Sequence, residues 1–215
     1  MLNDSILKCV LFDYGNVLCP QQDPACVDEM VRLSGIERDV FIKNYDNSRR
    51  EYDGGGIDGI EYWARLLGRF GKEGDRELCQ ALYEADVRSW TPIDEEMIDL
   101  AFELQKTGIQ IGVLSNMPME EAKHFQVIHD WMPRFDFLFL SSEMGMVKPD
   151  AEIYETVLKT VGLPAESILF IDDKPENIEA ACLSGLQGFV YESKEKSFSA
   201  LAECLKPKLR DRESL

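Results

Sequence analysis

Hydrophobic positions along the chain follow two different periods. Short apolar runs of strand type stand at Lys8–Phe12, Ile109–Leu114, Phe135–Leu140, Ser167–Ile171 and Gly188–Tyr191. Apolar residues at helical spacing separate the later runs, over Asp94–Lys106, Pro118–His129, Ala151–Val161 and Lys174–Ser184, with a last helix expected over Ser197–Leu205. The interval between the first and second runs has another texture. Four helical segments, Ala25–Leu33, Val40–Arg50, Ile57–Phe70 and Asp75–Trp90, are broken by Ser34-Gly35, Asp53-Gly54-Gly55-Gly56 and Gly71-Lys72-Glu73-Gly74. Strands alternating with helices predict an α/β fold, a Rossmann-like parallel sheet with helices on both faces. The helical interval predicts a small all-helical cap inserted after the first strand. The expected division is residues 1–19 and 92–215 for the α/β core and 20–91 for the cap, hinged at Leu18–Asp23 and Trp90–Pro92.

Candidate chemistry gathers at the strand ends. Asp13 closes the first apolar run and is followed by Gly15-Asn16; Ser115-Asn116 closes the second; Lys148-Pro149 ends the loop Ser141–Val147 after the third; Asp172-Asp173 closes the fourth. In an open parallel sheet these ends meet in one crevice, where such folds bind ligands. Two or three carboxylates brought together need a cation or a shared proton. Mg2+ meets that need with oxygen ligands, using one or two carboxylates, water and a phosphate oxygen. Lys148 neutralises further negative charge, and Ser115 stands before a helix whose first N–H groups face an anion. A carboxylate so placed can take a phosphoryl group and lose it to water.

Each of these residues also has a plainer reading. Asp172-Asp173 and Ser115 serve equally as helix caps, and Lys148 as a surface lysine. Tyr45, Arg49, Arg50, Tyr52 and Trp63 either shape a ligand pocket in the cap or pack its core. His124 and His129, the only two histidines, are expected to be solvated on a polar helix face. Cys19 is expected to be structural.

Composition narrows the partners. A formal net charge of −17 argues against nucleic acid, whose phosphates require Lys/Arg surfaces. It leaves room for a small phosphorylated ligand held by a local cation. The six cysteines form no CxxC pair and no zinc spacing, and no apolar run reaches membrane-spanning length. The expectation is a cytoplasmic protein, monomer or homodimer, with no membrane or nucleic-acid partner.

The motifs Phe12-Asp13-Tyr14-Gly15-Asn16-Val17-Leu18, Val113-Leu114-Ser115-Asn116, Lys148-Pro149 and Phe170-Ile171-Asp172-Asp173, with Asn177 and Ala180-Ala181 following, resemble in order and spacing those of the haloacid dehalogenase superfamily. The resemblance covers nearly the whole chain. It implies a Mg2+-dependent phosphatase with Asp13 as nucleophile, Ser115 and Lys148 as phosphate binders, and Asp172 as metal ligand. It also implies that the Gly15 carbonyl reaches the metal and that Asp173 is a ligand or orients one. The expected site is then Asp13, Ser115 and Lys148 for catalysis, Tyr14, Gly15, Ser115, Asn116 and Lys148 for phosphate, and Asp13, Gly15, Asp172 and Asp173 for metal. One departure stands out. Most phosphatases of this family carry a general acid two residues after the nucleophile, and here that position is Gly15. The Asp-x-Gly-Asn pattern and the cap segment Arg50–Ile57 are most similar to a branch of sugar-1-phosphate phosphatases. Two other functions fit the departure: a phosphate-binding regulatory protein with little turnover, and a metal-independent dehalogenase. The pair Asp172-Asp173 speaks against the second.

Overall fold

The computed structural model describes residues 7–72, 74–196 and 199. Its centre is a five-stranded parallel sheet in the order β3-β2-β1-β4-β5. The strands are β1 (Cys9–Phe12), β2 (Gln110–Ser115), β3 (Phe137–Leu140), β4 (Ile168–Asp172) and β5 (Gln187–Val190). Every residue of β1 and β4 is buried, which is why these strands read as unbroken apolar runs. Alternate residues feed opposite faces. Val10, Phe12, Ile111, Val113 and Ile171 pack with α6 (Glu95–Lys106) and α7 (Met119–Ile128). Cys9, Leu11, Leu114 and Phe170 pack with α9 (Ala151–Val161) and α10 (Pro175–Leu183). Gly112 makes room between strands: a Cβ there would stand 2.7 Å from Leu11 Cδ2 and 3.0 Å from Phe137 Cβ.

Among the described residues between β1 and α6, the named elements are helices: α1 (Pro24–Ser34), α2 (Arg38–Asn47), α3 (Arg50–Asp53), α4 (Gly59–Gly68) and α5 (Arg76–Ser89). Asp23, Glu37, Asp58 and Asp75 cap four of them by accepting from main-chain N–H groups. The insert has a core of its own, with Phe41, Tyr45, Tyr52, Tyr62 and Trp63 stacked or edge-on around Leu66, Leu67 and Leu82. The aromatic residues Tyr45, Tyr52 and Trp63 are therefore packing groups of the bundle. Arg50 lies at the surface, ion-paired with Asp150 of the core.

One sequence expectation shifts here, and another is not reached. The stretch Ser141–Val147, expected as a loop, begins with the short helix α8 (Ser141–Met144), ended by Gly145 in the left-handed conformation. The helix expected over Ser197–Leu205 lies outside the described residues, apart from residue 199.

Candidate active site

Because β1 lies between β2 and β4, Asp13, Ser115 and Asp172 leave the sheet side by side. The Asp13 amide still bonds to the Ile171 carbonyl at 2.8 Å, so the nucleophile candidate starts from a rigid position. Asp13 Oδ1 accepts from the Tyr14 N–H at 2.7 Å and lies 3.0 Å from Lys148 Nζ. The same ammonium reaches Asp172 Oδ2 at 2.6 Å and the Leu114 carbonyl at 3.0 Å. Lys148 is thus a buried cation between two carboxylates. Asp172 also accepts from Asn177 Nδ2 and from the Lys174 N–H. Asp173 is held by Asn16 Nδ2 at 2.8 Å, with Asn16 in the left-handed region at φ 61°. Asparagine tolerates that conformation better than most residues.

The electrostatics follow from burial. Loss of water pushes the Asp13 carboxyl up to about 7; Lys148 opposes this, and Asp172 and Asp173 add to it. Burial raises Asp173 as well, against the Asn16 hydrogen bond. Burial pulls the Lys148 ammonium down, but Asp13 and Asp172 more than offset it. Oxygens of Asp13, Asp172 and Asp173 lie within 4.8 Å of one another. Three carboxylates face one ammonium, and all donors are hard oxygens. That donor set fits a divalent cation such as Mg2+.

The sequence-predicted residues divide in two. Asp13, Lys148, Asp172 and Asp173 come together at the strand ends, and Ser115 ends the neighbouring β2 with its hydroxyl turned to the Asn116 carbonyl at 3.5 Å. The side chains of Tyr14 and Asn116 belong to the scaffold. The Tyr14 ring stacks on Phe125 at 5.2 Å and Trp131 at 6.4 Å, and its hydroxyl donates to the Trp90 carbonyl at 2.9 Å. Its N–H, not its ring, faces Asp13. The Asn116 amide is taken up by Lys148: Nδ2 donates to the Lys148 carbonyl at 2.9 Å, and the Lys148 N–H donates to Oδ1 at 2.8 Å. This side chain aims the Lys148 loop. His129 corrects another expectation. It is buried, with Nε2 at 3.1 Å from the Tyr14 hydroxyl and its ring beside Phe125 and Trp131. His124 is exposed, as expected.

Sequence reasoning missed a second buried cluster, between insert and core. Arg49 lies 3.1 Å from Asp53, 3.1 Å from Asp86 and 3.6 Å from Glu121 of α7, and its guanidinium lies over the rings of Tyr45 and Tyr52. Burial holds the Glu121 carboxyl well above its usual range, with Arg49 opposing. Beside this cluster Ser141 Oγ donates to the Asp53 carbonyl and accepts from the Met117 N–H at 2.8 Å. No spacing rule connects residues 49, 86 and 121.

Comparison with known proteins agrees with this geometry. The family model described as haloacid dehalogenase-like hydrolase matches residues 7–185. The sesquiterpene phosphatase astK of Aspergillus oryzae is 29% identical over 181 residues, 84% of this chain and 88% of its own. The D-ribitol-5-phosphate phosphatase of Bacteroides thetaiotaomicron is 24% identical over 87% of this chain and 93% of its own. Among solved structures, a HAD family enzyme from B. thetaiotaomicron, in complex with magnesium and inorganic phosphate, superposes with TM-score 0.69 at 21% identity, covering 87% of this chain and 96% of its own. The L-2-haloacid dehalogenase of Xanthobacter autotrophicus has the same fold, with TM-score 0.66 at 19% identity over 88% of this chain and 80% of its own. The chain belongs to the haloacid dehalogenase-like hydrolases. The two curated relatives named above, each matched along most of its length, are phosphatases.

Proposed function

We propose that this chain is a Mg2+-dependent phosphatase that hydrolyses a small soluble phosphate monoester through an aspartyl-phosphate on Asp13. The observation that carries the reading is the convergence of Asp13, Asp172 and Asp173, with Lys148 bridging two of them. Asp13, Asp172, Asp173 and the Gly15 carbonyl would hold the metal. A bound Mg2+ supplies positive charge that keeps Asp13 ionised and screens the phosphate from the carboxylates. Asp13 attacks phosphorus while Lys148 and the Ser115 hydroxyl hold phosphate oxygens. Lys148 keeps Asp13 in place through its contacts with Asp172 and the Leu114 carbonyl. Water then releases the phosphoryl group.

Residues 20–91 act in this reading as a lid over Asp13, turning on Leu18–Asp23 and Trp90–Pro92. The contacts of Ser141 with Asp53 and of Arg49 with Glu121 support a docked position for it. Among the described residues no helix is long and apolar enough to cross a membrane.

Sugar 1-phosphates are the favoured substrates. Without an acid at position 15 the leaving oxygen departs with its charge, and an anomeric hydroxyl is more acidic than a primary alcohol. Loss of general acid help slows such a step by about 10²–10⁴-fold, least for good leaving groups. A terpenyl phosphate is the second reading, supported by the 29% identity with the sesquiterpene phosphatase over most of both chains.

The test is turnover of p-nitrophenyl phosphate and a panel of phosphate esters. Activity should vanish with chelator, return with Mg2+, and be lost in Asp13→Asn. Undiminished turnover in chelator would overturn the metal assignment. Activity in Asp13→Asn comparable to wild type would overturn the covalent step.

A further inference from the structure

Gly15 is bracketed by two residues whose side chains face the carboxylate cluster. Asp13 is part of it, and Asn16 donates to Asp173. Gly15 is not among the glycines with positive φ, so its backbone conformation does not call for glycine. Its neighbour does. A Cβ built on Gly15 would stand 3.3 Å from Cζ3 of Trp90, 3.6 Å from Cη2 and 3.9 Å from Cε3. A Cβ at position 15 would thus press on the benzene edge of an indole, closely enough that the ring or the loop would have to give by a few tenths of an ångström.

Trp90 is fastened at its backbone and at its ring. The Trp90 carbonyl accepts from the Tyr14 hydroxyl at 2.9 Å and from Cys19 Sγ at 3.3 Å, so it is tied to the loop that carries Gly15. Its Nε1 donates to the Tyr45 hydroxyl at 3.1 Å. The Tyr45 hydroxyl also accepts from Arg49 and from Gln22 and donates to Asp86. Swinging the ring away from Gly15 breaks its Nε1 hydrogen bond to the buried network of the insert, while the main-chain ties to the nucleophile loop keep Trp90 beside Gly15.

We propose that Trp90 is a specificity-determining residue of the phosphatase: its ring occupies the space beside the nucleophile that a side chain at position 15 would fill, closes that wall with an apolar edge, and keeps a side-chain proton donor from it. The inference rests on the phosphatase reading above. In the step it constrains, a bond forms between an Asp13 oxygen and phosphorus while the bond from phosphorus to the ester oxygen breaks. The electron pair of that bond stays on the departing oxygen, which takes its proton from water. Turnover therefore follows the acidity of the leaving alcohol, and Gly15 and Trp90 set this dependence together. Neither can be changed for an acid-assisted site without the other.

The experiment compares p-nitrophenyl phosphate, phenyl phosphate and glycerol phosphate in Mg2+, with kcat and KM measured separately. The proteins are wild type, Gly15→Asp, Trp90→Leu, Trp90→Ala and Gly15→Asp combined with each Trp90 change. Gly15→Asp alone should lower turnover of all three esters and keep the steep preference for the aryl esters, because the ring excludes the carboxylate. Adding Trp90→Ala or Trp90→Leu should raise glycerol phosphate turnover relative to p-nitrophenyl phosphate by tenfold or more, in kcat, toward the gain of about 10²–10⁴ that a general acid gives. A purely structural role for Trp90 would move all three esters equally. Two results overturn the inference: Gly15→Asp alone flattening the leaving-group dependence, or the double variants keeping the wild-type ratio. Wild type without Mg2+-dependent turnover overturns the phosphatase reading, and the inference with it. An active wild type whose ratio ignores Trp90 overturns the inference alone. Melting temperatures check the contact independently of activity. Gly15→Ala should destabilise the protein more with Trp90 present than in the Trp90→Leu background, and additive shifts would count against the contact.

Discussion

At the scale of single residues, Lys148 joins stability to chemistry. Its ammonium is the counter-ion of both Asp13 and Asp172, in a place where little water enters. Removing one partner of a buried ion pair typically destabilises by about 3–5 kcal/mol, because the remaining charge has no compensation. Lys148→Met should lose stability of that order in chelator, recover part of it in Mg2+, and lose phosphatase turnover. Denaturant unfolding with and without the metal measures this, and an unchanged midpoint would refute it. His129 predicts a pH dependence of opposite origin. Burial lowers its pKa below the usual 6.5, so the folded protein holds fewer protons on it than the unfolded chain. The stability contributed by neutral His129 is present above pH 6.5 and is lost as pH falls through the window below it. His129→Gln keeps a polar group near the Tyr14 hydroxyl and cannot titrate. It should flatten the fall in melting temperature between pH 7 and pH 5; an unaltered slope would refute the assignment. At this scale the strand-end residues Asp13, Asp172 and Lys148 were readable as candidates. The scaffold role of Asn116 was not, because its partner is a main-chain group distant in sequence.

At the scale of elements, the apolar runs and the helical periods were legible wherever burial is complete or one face is covered. The edges were less so. The short helix α8 has only four residues and no apolar stripe, so its stretch read as a loop. The tightest constraint in the sheet lies at Gly112 of β2, where the side chain of Leu11 and the backbone of Phe137 leave no room for a methyl group. Overpacking of this kind typically destabilises by about 1–3 kcal/mol. Gly112→Ala should show a loss of that size in urea unfolding, with the transition still cooperative. A variant as stable as wild type would mean that β1 and β3 separate more easily than their packing indicates. The three-glycine segment after α3 has a similar cause. A Cβ on Gly55 would stand 2.9 Å from the Ser142 carbonyl oxygen, and the backbone there has φ of +76°. The turn admits the close approach of the insert to α8 because no side chain intervenes.

At the scale of the whole molecule, insert and core meet through polar groups as well as through the packing of Val87 and Trp90. Ser141 joins the Asp53 carbonyl to the Met117 N–H, and Arg49 reaches Glu121. Ser141→Ala leaves a main-chain donor and acceptor without their shared partner, a loss of about 1–3 kcal/mol where the groups stay buried. It should raise hydrogen exchange at Met117 and through Asp53–Gly56 while the sheet amides remain protected. Uniform exchange across β1 and β4 would mean that the core itself had loosened. The sequence by itself determined the alternation of strands and helices, the helical insertion after β1, and the acids and lysine at the strand ends. These follow from local periodicity and from the rule that parallel strands end in a common crevice. Only the tertiary structure decided which of those residues touch, that Tyr14 and His129 face the core, that one arginine balances acids from three helices or their ends, and that Trp90 stands against Gly15. The physical reason is range. Period and turn chemistry act over a few neighbouring residues, whereas a buried ion pair or a filled volume depends on side chains tens of positions apart, and on the water that packing has removed from between them.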